Sequence, residues 1–309
     1  MPVAFGRLRV FLTEQCNLAC FYCHNEGQPK GGGYLSDRLY DAVATMSRQP
    51  EVDKVILSGG EPLLHPRVLD MVDAVAPHVA RVSVITNGLL LTRPLARDLA
   101  AAGLSKVRLG VDSFRSDKPR PSAGYLDAPF SIDAVVAAVR DAGLRIEVNV
   151  VLTRFNQREV PRFLEWAVAN ELDIKFFEHL EVRPARPGEF VNIMRPRPQV
   201  SEAWFMQTLA QTLGHLPDFV ETDAFAPATS AARVGATEIR YCRYLCTYHR
   251  CAAPGTRFDV AGFVYTCMSN RGLDRVDDLG VQSLREVFAR ASGRTCSAGD
   301  GIEVPMKLG

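Results

Sequence analysis

Nowhere in its 309 residues does this chain stay apolar for the roughly 18 positions that a membrane-spanning helix needs, so no membrane association is expected. Charge of one sign is missing as well: 36 Lys+Arg against 35 Asp+Glu leave a formal net charge of +1. A protein that tracks phosphates along a nucleic acid carries a basic surplus, and nucleic acid is therefore not an expected partner. The opening MPVAFGRLRVFLTEQC has arginines where a secretory signal would hold its apolar core. A cytoplasmic protein with reduced thiols is expected. At 47% apolar and 23% charged residues, the composition also excludes the disordered and fibrous classes. Cysteine is absent between Cys23 and Cys242. It crowds instead at Cys16, Cys20 and Cys23, and again at Cys242, Cys246, Cys251, Cys267 and Cys296. In a reducing compartment, two such groups around an empty middle suit two thiolate-bound centres better than disulfides.

The middle of the chain alternates in period. Apolar runs at Arg7–Leu12, Val52–Leu57, Arg81–Ile85, Lys106–Val111, Arg145–Leu152 and Ile174–Phe177 read as buried strands. Amphipathic stretches with helix signals separate them. Ser36 or Asp37 caps one running to Ser47, Pro94 opens one that Gly103 closes, Ser131 caps one ending before Gly143, and Gln157–Asn170 forms another. Strands alternating with helices predict a parallel sheet wound by right-handed crossovers. The pattern stops near Leu180, short of the roughly 250 residues of a full eight-fold barrel, which predicts an α/β fold with a partial (β/α)6 TIM-like barrel over 1–198. Glu181–Pro198, with Arg183, Arg186, Arg195 and Arg197 among four prolines, reads as a linker or lid. A helical linker is expected over 199–240, with a helix at Ser201–Leu213 whose Trp204 and Phe205 are core. A small Cys-rich domain is expected over 241–309. There Arg257–Val260 and Phe263–Thr266 form a hairpin through Ala261–Gly262, and Val281–Ala291 a closing helix.

The chemistry concentrates in Cys16-Asn-Leu-Ala-Cys20-Phe-Tyr-Cys23, a C-x3-C-x2-C directly after the first strand. Three thiolates on a short loop suit three irons of a cubane, leaving the fourth iron open. A zinc site is the alternative, but it would want a fourth ligand nearby, and His24 sits beside Cys23 rather than opposite it. With Tyr22 before its last cysteine, this loop resembles the cluster loop of the radical S-adenosylmethionine (SAM) superfamily. Ser58-Gly59-Gly60-Glu61-Pro62 after the second strand resembles that superfamily's GGEP motif, and Thr86-Asn87-Gly88 after the third is a further match. All three fall at strand C-termini, where barrel enzymes place their chemistry.

The resemblance implies a 4Fe–4S cluster on Cys16, Cys20 and Cys23, with SAM on its open iron. Reductive cleavage of SAM gives a 5′-deoxyadenosyl radical that takes a hydrogen atom from the substrate. An electron donor such as flavodoxin or ferredoxin is an implied partner. Tyr22, Gly59, Gly60, Glu61, Thr86, Asn87, Asp112 and Glu178 are the expected cofactor-binding set. Within it, the glycines let the backbone approach the methionine ammonium and Glu61 offers that ammonium a carboxylate. His24-Asn-Glu26-Gly27 is a further stretch near SAM. The scaffold is similar to the molybdenum-cofactor GTP cyclase branch at Arg7-Leu-Arg9, Thr13-Glu-Gln-Cys16, Glu147-Val-Asn149 and Lys175-Phe-Phe-Glu178. Two basic positions of that branch are not matched: Val55-Ile-Leu-Ser58 precedes Gly59, without the Arg that helps hold the triphosphate there, and Glu147 replaces the basic residue before Val-Asn149.

Cys251-x10-Gly262-x4-Cys267 resembles the opening of a SPASM or Twitch extension. With Cys246 and Cys296 it makes a four-ligand set for a second 4Fe–4S cluster, or for zinc. Cys242 is left over, although Cys242 and Cys246 could exchange roles. It is either a buried thiol or a hydrogen-atom donor, as in the Twitch-type sugar and aminoglycoside epimerases this chain resembles. The expected function is radical tailoring of a small, carbohydrate-like molecule, by epimerisation through Cys242 or by dehydrogenation through the auxiliary cluster. Peptide modification and a non-catalytic metal-binding scaffold are the other classes considered.

Overall fold

The computed structural model describes residues 6–18, 20, 22–23, 31–114, 131–179, 200–221, 229–243, 255–266 and 274–293. The six expected strands all form, as β1 (Gly6–Phe11), β2 (Val52–Ser58), β3 (Arg81–Thr86), β4 (Lys106–Gly110), β5 (Arg145–Leu152) and β6 (Asp173–Glu178). Two of the helices between them start at the caps expected, Ser36 and Ser131, whereas the one over Val68–Val75 was not expected. The hydroxyl of Ser36 accepts from Leu39 N at the start of α1 (Asp37–Ser47), and Val68–Val75 forms α2 without a side-chain cap. Thr92 caps α3 (Arg93–Ala101) and Ser131 caps α4 (Ile132–Asp141). A 3-10 turn at Gln157–Glu159 leads into α5 (Val160–Ala169). Ser201 caps α6 (Glu202–Leu213), and Gly214 ends it in the left-handed region at φ 77°.

The chain then adds β7 (Val220–Glu221), β8 (Thr229–Val234), β9 (Thr237–Cys242), β10 (Thr256–Phe258), β11 (Phe263–Tyr265), β12 (Asp274–Arg275) and α7 (Val281–Gly293). All twelve strands belong to one sheet, in the order β12-β11-β10-β1-β2-β3-β4-β5-β6-β9-β8-β7. β10 lies parallel to β1 and β9 parallel to β6, so the parallel core extends beyond the six strands expected. The boundary expected at 240/241 falls inside β9, and the 199–240 segment carries the β8–β9 hairpin as well as a helix. The predicted hairpin at Ala261–Gly262 is present. Asp259 accepts from Ala261 N and Phe263 N, and Gly262 turns at φ 84°.

Because β1 to β6 follow one another without a reversal of order, every right-handed crossover returns on the same face of the sheet. That face is the hydrophobic one: Leu8, Val10, Val55, Leu57, Val82, Val84, Val107, Leu109, Val148, Val150, Ile174 and Phe176 are buried with the apolar sides of the helices. Phe205 of α6 packs between Phe176 and Tyr241, as expected of a core residue. Strand side chains alternate, so Arg108, Glu147, Asn149, Lys175, Phe177, Arg240 and Cys242 occupy the opposite, inner face. No helix among the described residues is long and apolar enough to cross a membrane.

Candidate active site

The C-terminal ends of the parallel strands share one end of the sheet, and the loop carrying Cys16, Cys20 and Cys23 leaves β1 there. The three residues are thiols, Cys16 exposed and the other two partly so. Local bonds shape the loop: Leu18 N donates to Cys16 Sγ at 3.4 Å, and Cys23 N to Cys20 O at 3.0 Å. Among the described residues, no group of three or more His, Cys, Asp or Glu side chains forms a single-ion site. Soft thiolates presented one by one are the donor chemistry that iron–sulfur clusters use, so the donor set fits the cluster that the motif implies.

The Gly59–Gly60 pair turns out to serve this loop. Gly60 N donates to Thr13 O at 2.8 Å and Glu61 N to Gln15 O at 2.7 Å, so the segment after β2 is laced to the segment after β1. A Cβ on Gly60 would lie 2.1 Å from Gln15 O, and one on Gly59 2.5 Å from Thr13 O at a φ of 138°. The glycines are therefore required for packing main chain on main chain, a reason distinct from the expected approach to a ligand ammonium.

Glu61 is 1% exposed, and its carboxylate collects donors from three places. Leu63 N and the Thr86 hydroxyl donate to Oε1 at 3.1 and 2.8 Å, and Asn87 N donates to Oε2 at 2.8 Å. Burial pushes its pKa up to about 7, against the pull of those three donors. No cation pairs with it among the described residues. A buried carboxylate with polar support and no counter-ion is a fitting place for the ammonium of SAM.

Thr86 and Asn87 thus act first through Glu61. Asn87 also donates from Nδ2 to Asn17 Oδ1 at 2.8 Å, tying the end of β3 to the cysteine loop. Tyr22 is half-buried, and its hydroxyl donates to Asp112 beyond β4. Burial, then the charges of Asp112 and Cys20, push its phenol up. Asp112 is thereby in contact with the loop, and its carbonyl accepts from Asn156 Nδ2 at 3.2 Å. Glu178, at the end of β6, accepts from the Tyr241 hydroxyl at 2.8 Å. Burial and that carboxylate push the Tyr241 phenol up. Cys242 closes β9 in register with Phe177, and the Thr229 hydroxyl donates to its Sγ at 3.4 Å. Cys246, Cys251, Cys267 and Cys296, the His24–Gly27 stretch and the four arginines of 181–198 lie outside the described residues.

Sequence reasoning passed over Asn17 and the Glu147 ion network. Asn17 carried no signal beyond its place in the loop. Glu147 did: Arg145-Ile-Glu-Val-Asn-Val-Val-Leu152 alternates Arg145, Glu147 and Asn149 with Ile146, Val148 and Val150, so one face of the strand is polar.

The Radical SAM superfamily model matches residues 10–167, more than half of the chain. A probable GTP 3′,8-cyclase of Aeropyrum pernix is 34% identical over 229 residues, covering 69% of this chain and 62% of the relative. This chain therefore spans less than two thirds of that protein. A GTP 3′,8-cyclase of Erythrobacter litoralis is 28% identical over 88% of this chain and 82% of its own length. Among solved structures, Streptococcus suis SuiB bound to S-adenosylmethionine superposes with a TM-score of 0.61 over 94% of this chain and 68% of that one. At 14% identity, that likeness speaks to the fold.

Proposed function

We propose that this chain, which belongs to the radical SAM superfamily, acts on a small molecule held on the inner face of its sheet and inverts a carbon centre there, with Cys242 as hydrogen donor. One observation carries the reading. Cys242 is a partly exposed thiol at the C-terminal end of β9, in register with Phe177 and at the end of the sheet from which the cysteine loop leaves. Bound cluster and SAM would supply the removal of a hydrogen atom from the substrate. Cys16, Cys20 and Cys23 would hold the cluster, and Glu61 the amino group of SAM. Cys242 then passes its S–H hydrogen to the substrate radical from the opposite face. One proton and one electron restore the thiol, the electron coming from a ferredoxin- or flavodoxin-type donor. Cys246, Cys251, Cys267 and Cys296 are proposed as ligands of an auxiliary cluster on that electron's route.

The curated relatives favour a second reading, since they are named GTP 3′,8-cyclases. Turnover of candidate glycosides in deuterated water separates the two. A thiol hydrogen exchanges with solvent, so an epimerised product carries one deuterium at the inverted carbon. Cys242→Ala should still consume SAM and stall before product. Oxidised product without deuterium, or full activity in Cys242→Ala, would falsify the donor role, and conversion of GTP would establish the second reading.

A further inference from the structure

On the wall formed by β4, β5, β6 and β9, one carboxylate gathers three cations from two other strands. Glu147 is 3% exposed, with Lys106 Nζ at 2.8 Å, Arg240 Nη1 at 2.6 Å and Arg108 Nε at 3.5 Å. Glu238 makes a second ion pair to Arg240, and Asp173 Oδ1 accepts from Glu238 N at 3.1 Å. Beside Glu147 on this wall, Lys106, Arg108 and Arg240 are thus ion-paired and Lys175 is not. Among the described residues Lys175 has no ion pair or hydrogen bond, and its Nζ stands 4.8 Å from the centre of the Phe177 ring. Burial pushes its ammonium pKa down, with Cys242 and then Glu147 pulling it back up. Its register partner on β5 is Asn149, whose Oδ1 is buried without a hydrogen-bond partner. Moving toward the strand C-termini, β5 presents Glu147 and then Asn149, β6 presents Lys175 and then Phe177, and β9 presents Arg240 and then Cys242.

We propose that Glu147 sets substrate specificity: it occupies the cations of the chamber floor, and it leaves Lys175 and Asn149 as a subsite for a hydroxyl-bearing molecule with at most one negative charge. The ammonium, which lies over the Phe177 ring without an ion pair or hydrogen bond, takes one acceptor oxygen or one acidic group of the substrate. The unpartnered amide oxygen takes one hydroxyl or amine donor beside it. Among the described residues of this wall, a polyphosphate finds no free array of cations, because Lys106, Arg108 and Arg240 already share a carboxylate that cannot leave. Glu147 is a positioning residue in this scheme and touches no reacting atom. The inference rests on the reading of the inner face as the substrate chamber.

The test is calorimetric titration of the anaerobic, reconstituted full chain with inorganic triphosphate, alongside Glu147→Gln. Wild type should show no saturable heat at millimolar triphosphate, and Glu147→Gln should bind at least tenfold more tightly. Because Glu147→Gln leaves three cations facing one another, Glu147→Gln/Arg240→Gln is measured as well, with the same criterion at reduced affinity. Thermal melts with and without triphosphate supply a second readout, with a rise in Tm confined to the variants. Saturable binding by wild type at the variants' affinity overturns the proposal. So does a folded Glu147→Gln that ignores triphosphate. The titration needs no turnover, so its failure is separate from failure of the Cys242 deuterium experiment.

Discussion

At the C-terminal end of the parallel strands, the mouth of the proposed chamber, the cysteine loop is held main chain to main chain, whereas at its proposed floor Lys106, Arg108, Glu147 and Arg240 are held side chain to side chain by charge. At the mouth, Thr13 and Gln15 accept from Gly60 and Glu61 at 2.8 and 2.7 Å, with no room for a methyl group between them. At the floor a single carboxylate arranges three long, adaptable side chains. The mouth therefore has a geometry that substitution can only damage. The floor has a charge pattern that one substitution can rewrite while the strands stay where they are. A scaffold that keeps one radical-generating step and varies its substrates needs both kinds of construction.

The largest effect should come from breaking the mouth. Gly60→Ala would push a methyl group into Gln15 O at 2.1 Å, and overpacking against backbone costs about 3 kcal/mol or more. The loop must then move, and reconstituted protein should lose the iron proposed to sit on Cys16, Cys20 and Cys23 together with SAM cleavage. Iron analysis beside a thermal melt checks this. A variant with full iron content would mean that the loop does not depend on the glycine.

The floor should show itself in acid. Burial alone would raise the Glu147 carboxyl, but Arg108, Lys106 and Arg240 hold it down at about 2, against 4.5 for an ordinary glutamate. A lowered folded-state value contributes stability that is complete above pH 4.5 and drains away as pH falls toward 2. The contribution is on the order of 3 kcal/mol. Denaturant melts across that window should show a loss in wild type that Glu147→Gln lacks. Parallel curves for the two proteins would remove the network from the account of stability.

Glu61 offers the smallest and sharpest contrast, because its carboxyl is displaced the other way, up to about 7. A raised value means that the folded protein favours the neutral acid, so ionisation costs stability as pH rises from 4.5 through 7. Binding an ammonium needs the ionised form. SAM affinity should therefore climb with pH to about 7 and then level off. Glu61→Gln should flatten that profile and lose roughly 1.5–3 kcal/mol, a ten- to hundredfold weaker Kd. An unaltered pH profile in the variant would place the ammonium elsewhere.

Much of this arrangement was readable from the residues in order. The cysteine spacing, Ser58–Pro62 and Thr86–Gly88 mark strand ends, and local caps such as Ser36 and Ser131 sit where the helices begin. These signals are short-range, and the physics behind them acts within a few residues, which is why a linear reading reaches them. Strand β9 was less accessible. Thr237–Cys242 runs into the C-terminal cysteines, and nothing local says that it extends the parallel sheet beside β6.

By itself, the sequence determined the period of strands and helices, the end of the sheet at which the motifs gather and the thiols available for a cluster, since each depends on neighbours in the chain. Only the tertiary structure decided what Gly60, Glu61 and Glu147 do. Gly60 is required by Gln15, 45 positions away along the chain, Glu61 is supported by Asn87, |i−j| = 26, and Glu147 meets Arg240, |i−j| = 93. Steric exclusion, a buried carboxylate and a shared counter-ion are properties of surroundings, and surroundings exist only once distant strands lie side by side.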